Sequence, residues 1–495
     1  MKTLNQFKAA RRVSVPLIVW KTPDPAATIA QVVELANGKG APVAQWDCVR
    51  GMKPLNEQAQ GKVSGEIAIG NPVDALIYME SLDEKSILFF HNAHKFTADP
   101  GTLQAVWNLR DSNKQAGKTL VLLAPSMPIP PELANDVLVL DEALPDEAQL
   151  TEIVLQQFES AELPKPGDKE TKKAVDAISG LSAFSAEQVV AMSFEGKTGS
   201  VKLNHGSLWE RKRQAVEETR GLKVWRGGET FNDIGGVQNI KDFLALFIGG
   251  RKPPHAIVWV DELEKSLAGA QGDTSGTSQD QLGVFLKEME DNAAEGVLFV
   301  GHPGGAKSMV AKATGNTAQV PTIAMDLGAM KGSLVGESEA NIRAAMKVVK
   351  SVSRGSALYI ATCNKIGVIP PELQRRFTLG TFFFDLPSKE ERETIWKLYT
   401  SKFELSGEAA KRPEDDEGWT GADIFNCAKR AWMFRTSLAE AAKYASPICK
   451  TRPKEIEALR DVANNAFISA SYPGLYKKGF VPIEKPGKRQ INMAN

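Results

Sequence analysis

Eight consecutive residues, Gly301-His-Pro-Gly-Gly-Ala-Lys307-Ser308, have the types and spacing of a loop that wraps phosphate. Gly301, Gly304 and Gly305 let backbone N–H groups turn toward an anion, and a helix opening beside Met309 adds the positive end of its dipole. In such a loop Lys307 contacts the β- and γ-phosphates and the Ser308 hydroxyl ligates Mg²⁺, with Pro303, Ala306 and Met309 completing the cradle. Ala306 stands where the pattern G-x-x-x-x-G-K-[ST] has its last glycine. The competing reading is a glycine-rich strand-to-helix turn with no ligand.

A second constellation lies upstream. The apolar run Ile257–Val260 ends in Asp261-Glu262. Two carboxylates at the end of a buried strand are costly unless they meet a cation or water. In a nucleoside triphosphatase the first acid holds Mg²⁺ and the second polarises the attacking water. The alternative acid near the metal is Asp326, which ends the run Thr322–Met325.

The elements that must position these residues follow from the rest of the chain. It has 495 residues, 42% of them hydrophobic, which suits several packed domains rather than disorder. Sixty basic side chains balance sixty acidic ones, so no global charge favours nucleic acid or an anionic membrane. Four scattered cysteines (Cys48, Cys363, Cys427, Cys449) form no CxxC pair and fit a reducing compartment. No apolar run is long enough to span a bilayer, and the expected location is cytoplasmic.

The chain also repeats itself. Leu120–Leu133 and Ala357–Leu373 are each an apolar strand followed by Ile-Pro-Pro-Glu-Leu, then a second strand and a Leu-Pro dipeptide opening an acidic helix. Apolar runs alternate with helical patterns in both halves, which predicts two α/β layers of mostly parallel strands. The expected divisions are an α/β domain over 1–165, a small helical region and linker over 166–220, a nucleotide-binding domain over 221–388, a helical lid over 389–475 and a tail over 476–495. Trp225 reads as an interdomain packing residue. Ser266–Gln281, with Gly269, Gly272 and Gly276, reads as a flexible loop. In the first half no glycine-lysine pattern follows the strand Pro16–Trp20, and Ile87–Phe90 ends in His91-Asn92 rather than in acids. That half is expected to bind no nucleotide and to serve assembly or partner binding.

Together these motifs resemble the AAA ATPases over about residues 228 to 440. Phe231-Asn-Asp-Ile-Gly-Gly236 is similar to the segment opening that module, where Asp233, Ile234 and Gly235 lie beside the adenine. Thr362-Cys363-Asn364 resembles sensor 1, which implies that Asn364 orients the water. Arg375-Arg376-Phe377 resembles the arginine-finger segment, with Arg376 preferred over Arg375. Trp419–Ile424 resembles the start of the lid helix, and Leu334-Val335-Gly336 the pore-loop stretch of family hexamers. The pattern as a whole is similar to AAA proteins of phage and cyanobacterial type that carry an inactive, degenerate ATPase-like N-terminal half.

The fold implied is a P-loop NTPase parallel sheet with a helical lid, preceded by a second degenerate α/β domain. The resemblance implies ATP and Mg²⁺ as cofactors, Glu262 as the base, and a homo-oligomer, taken as a hexameric ring, that remodels a protein or nucleoprotein partner. Alternatives are a nucleotide-gated assembly scaffold and a DNA helicase or loader. The family places its phosphate loop before its acidic strand, whereas here Asp261 and Glu262 come first. The expectation is that one strand-plus-helix unit, about 256–292, has moved forward in the chain while keeping its slot in the sheet.

Overall fold

The computed structural model describes residues 2–63, 68–125, 127, 129–142, 144–196, 201–268, 277–291, 294–331, 337–369 and 374–480. The pore-loop residues Leu334, Val335 and Gly336, the glycines 269, 272 and 276, and most of the second Ile-Pro-Pro-Glu-Leu lie outside the described residues. The chain divides into two compact units, Met1–Ala215 and Val216–Asn495.

In the first unit the strands Leu17–Lys21 (β1), Val43–Asp47 (β2), Gly51–Pro54 (β3), Ile87–Phe90 (β4), Thr119–Ala124 (β5) and Leu138–Asp141 (β6) form one sheet. Its order is β3-β2-β4-β5-β1-β6, parallel except for the β2–β3 pair. β4 and β5 are buried at every position, as expected for strands covered on both faces. The helix Glu147–Ser160 turns its apolar stripe (Leu150, Ile153, Val154, Phe158) to the helices Asp168–Ile178 and Ala183–Ala191. The small helical core therefore begins before residue 166. A two-stranded hairpin, Phe194–Glu195 (β7) with Lys202–Leu203 (β8), completes this region.

The second unit is built on Leu222–Val224 (β9), Ala256–Val260 (β10), Glu295–Gly301 (β11), Thr322–Met325 (β12), Ala357–Cys363 (β13), Thr381–Phe384 (β14) and Ile468–Ser469 (β15). The order is β15-β14-β11-β13-β10-β12-β9, with only β9 antiparallel to its neighbour. Alternate residues of one strand serve opposite cores: Val258 and Val260 face one cluster, Ile257 and Trp259 the other.

The central orders of the two sheets, β6-β1-β5-β4-β2 and β14-β11-β13-β10-β12, correspond strand for strand. β10, which carries the acidic pair, holds the slot of β4, although in the chain it comes before β11 rather than after β12. The connection from β10 to β11 passes over a single strand, β13. The backbone repeats as well. Asn92 and Glu262, each two residues past its strand, both adopt left-handed conformations (φ 53° and 49°). These shared features support a common origin for the halves.

The lid packs the helices Lys389–Lys402, Gly421–Phe434 and Leu438–Ala442 around Trp396, Trp419, Ile424 and Leu438. Ser388 and Thr420 start the first two with reciprocal capping boxes. After the lid the chain returns to the sheet. β15 pairs with β14, and Tyr476, the first residue of the expected tail, is 4% exposed in the core beside Phe383. Trp225 packs within the second unit, its ring 4.2 Å from the Lys312 ammonium, which also lies 4.5 Å from Trp259.

Candidate active site

β10, β11 and β13 are neighbours, so the ends of these three strands converge at one edge of the sheet. From β11 the chain turns through His302–Ala306 into the helix Lys307–Ala318. Gly301 is obligatory because a Cβ there would lie 2.3 Å from the Phe384 carbonyl on β14. Ala306 takes φ 68°, a left-handed conformation that glycine adopts freely and alanine only under strain. Lys307 is 5% exposed, and its ammonium donates to the carbonyls of Gly301 (2.8 Å) and His302 (2.7 Å). Burial lowers its pKa to about 8. His302 is buried as well, which pushes its pKa down.

The second residue of that helix, Ser308, reaches back to the end of β10. Ser308 Oγ donates to Asp261 Oδ1 at 2.7 Å, and Thr362 Oγ1, at the end of β13, donates to the same oxygen at 2.6 Å. Thr362 also accepts the backbone N–H of Glu262 at 2.9 Å. Glu262 receives the Asn364 side-chain amide at 3.2 Å and pairs with Lys265. Two residues further along, Glu264 accepts the Asn364 backbone N–H at 3.0 Å. Two carboxylates, a hydroxyl pair and a carboxamide thus meet above the phosphate-type loop.

These groups line a cavity of about 540 Å³, large enough for a nucleotide-sized ligand. Pro303 to Met309 form its floor, and Ile234, Gly235 and Gly236 one wall. Gly235 allows that close approach, since a Cβ would meet Ile395 Cγ1 at 2.6 Å. The lid supplies Ile395, Tyr399, Gly421 and Phe425. Gly304 sits under the lid cap, where a Cβ would be 2.9 Å from Thr420 Oγ1.

Two family models match parts of the chain. Residues 3–142 match the family model for the SpoVK-like AAA ATPase N-terminal domain, and residues 297–360 match that of the ATPase family associated with various cellular activities. The chain is similar to AAA ATPases in both of its halves. It is 23% identical to the AAA domain-containing protein ycf46 of Guillardia theta over 94% of its own length and 95% of that protein's. With the ycf46 protein of Trieres chinensis it shares 24% identity, covering 77% and 78% of the two chains. The AAA match begins at β11 and closes in β13, so Asp261 and Glu262 precede it.

Within this AAA module the structure does not gather every expected residue at the cavity. Asp233 does not line it; its carboxylate accepts from the Thr230 N–H (2.7 Å) and hydroxyl (3.0 Å), which lowers its pKa. It shapes the turn that presents Ile234 and Gly235. Arg375 and Arg376 lie off the cavity; Arg375 is exposed and Arg376 pairs with Glu290. Asp326, the alternative acid, accepts the Ala329 N–H at 3.0 Å and does not line the cavity.

Several contributors gave no sequence signal of their own. Thr362 ties the two acids together, although the sensor 1 resemblance that contains it assigns a role only to Asn364. Asp385 lines the cavity after β14, held by Arg460 (2.8 Å) and Tyr476 (2.7 Å) from beyond the lid. In the first unit the corresponding turn closes on itself: Asp24 accepts the Ala27 N–H at 3.1 Å, placing its own carboxylate at the helix N-terminus. His91, at the position of Asp261, meets Gln45 at 3.0 Å.

Proposed function

We propose that the chain hydrolyses ATP with Mg²⁺ as a homo-oligomeric ring, using the energy to remodel a protein or nucleoprotein partner. The observation that carries this reading is the convergence of Ser308 and Thr362 on one oxygen of Asp261. It joins the phosphate-type loop, the acidic strand and the sensor strand at a single point.

The donor set fits the metal. Mg²⁺ prefers hard oxygen ligands, and Asp261 and the lone pairs of Ser308 would hold it, directly or through water. Bound there, Mg²⁺ would neutralise charge on the β- and γ-phosphates. The chain's own residues do the rest. Lys307 and the N–H groups of Gly304 to Ser308 bind phosphate, while Ile234 and Gly235 flank the base. Glu262 accepts the proton of the attacking water, and Asn364, already bonded to that carboxylate, orients the pair. Arg376, or its neighbour Arg375, does not line its own cavity and acts on the site of an adjacent subunit.

Glu262→Gln tests the assignment. The variant should bind ATP as the parent does and lose about 100-fold or more in turnover. Parental turnover would remove Glu262 as the base.

A further inference from the structure

The first unit holds a second cavity, about 410 Å³, that no nucleotide motif predicts. It lies at the N-terminal ends of the parallel strands, bounded by Ser14 before β1, Lys85 before β4 and Gly117 before β5. The positions equivalent to the phosphate loop and the acids, Thr22 and His91, are at the opposite ends of these strands. Its floor is apolar and buried: Phe7, Val32, Ala36 and Ile87. Its walls carry five cations, Lys8, Arg11, Arg12, Lys39 and Lys85, against one carboxylate, Glu84.

The charge is concentrated, with Glu84 the single carboxylate lining the cavity among the described residues. The whole chain is neutral, yet this one cavity collects five basic groups. Arg11, half-buried, donates to the Gly117 carbonyl and the Thr119 hydroxyl (2.7 Å each) and to the Lys85 carbonyl (2.5 Å). All three acceptors are neutral. A desolvated guanidinium without a carboxylate leaves a positive field that an anion would relieve. The rim is strained as well: Ser14 and Lys85, neither of them glycine, sit at φ 54° and 61° beside Gly117 at 64°. Left-handed non-glycine residues collect where a binding surface needs a set shape.

We propose that this cavity binds a small organic polyanion, bearing phosphate or carboxylate groups on a short apolar body. Its anionic groups meet Lys8, Arg12, Lys39 and Lys85, and its body rests on Phe7 and Val32. Arg11 holds the walls together and supplies field. The site is independent of the nucleotide cavity of the second unit.

Lysine footprinting of the full-length chain tests this. The chain is acetylated with an amine-reactive ester, and each lysine is read separately by mass spectrometry. Pyrophosphate should slow modification of Lys8, Lys39 and Lys85 several-fold while leaving the exposed Lys53 and Lys165 unchanged. A parallel arm with citrate separates the sources: protection by pyrophosphate alone assigns a phosphorylated ligand, and by citrate alone a polycarboxylate. Protection by both assigns a general polyanion site. In Lys8→Gln/Lys85→Gln the anion concentration needed to protect Lys39 should rise about tenfold or more. No protection by either anion overturns the proposal. So does protection spread equally over Lys53 and Lys165, or protection of Lys39 untouched by the double substitution.

Discussion

Ser308 donates a 2.7 Å hydrogen bond to Asp261 across 47 residues of chain, and the acid comes first. The bond exists because β10 is separated from β11 by β13 alone, so all three strand ends meet.

Thr362 is the bridge between the two acids, and Thr362→Val removes its hydroxyl at nearly constant volume. Asp261 then loses a donor and the Glu262 N–H an acceptor. We expect turnover to fall about tenfold or more, with ATP affinity little changed, and stability to drop by about 1 kcal/mol. Steady-state kinetics and urea unfolding read both. Unchanged turnover would show that the hydroxyl does not set the position of the acids.

Ala306 holds a conformation that costs alanine about 1 kcal/mol relative to glycine. Ala306→Gly should raise the unfolding free energy by about 0.5 kcal/mol, since glycine's greater freedom in the unfolded chain offsets roughly half of the relieved strain. A chemical-denaturation midpoint that stays put or falls would contradict the strain.

Burial brings the Lys307 pKa down to about 8, so its ammonium is lost as pH rises through that value. Phosphate binding needs the charged form. ATP affinity measured in magnesium-free buffer should therefore weaken above pH 8, and binding there should take up a proton. The stability of the free protein moves the other way. Between the folded value and the ordinary lysine value the unfolded chain binds more protons, so this group favours folding increasingly as pH rises. Calorimetry in buffers of different ionisation enthalpy detects the proton. An affinity flat from pH 7 to 9 would count against Lys307 as the phosphate contact.

If Arg376 acts across subunits, two dead variants should rescue each other. Arg376→Ala keeps a sound cavity but lacks the finger, and Glu262→Gln keeps the finger but lacks the base. A mixture should turn over ATP faster than the sum of the two alone. A merely additive rate would confine Arg376 to its pairing with Glu290.

Much of this was legible in the residues, for physical reasons. The central strands are apolar runs of four to seven residues buried on both faces, so their composition gives them away. The phosphate-type loop is marked by glycines that tight backbone turns require. The edge strands β3, β9 and β15 span only two to four residues and show no period to read. Asp233 was expected beside the base because its neighbours are; its carboxylate instead satisfies Thr230, a local bond that motif spacing does not encode. Asp385, Arg460 and Tyr476 come together through the chain's return after the lid, a long-range contact with no local signature.

The displaced strand has a consequence for how such proteins are found. What the chemistry requires is adjacency of three strand tips, and adjacency survives when the polypeptide visits those tips in a different sequence. A pattern that demands the phosphate loop upstream of its acids will pass over a chain like this one or see half of its machinery. Ranking candidates by which strands lie side by side would recover it.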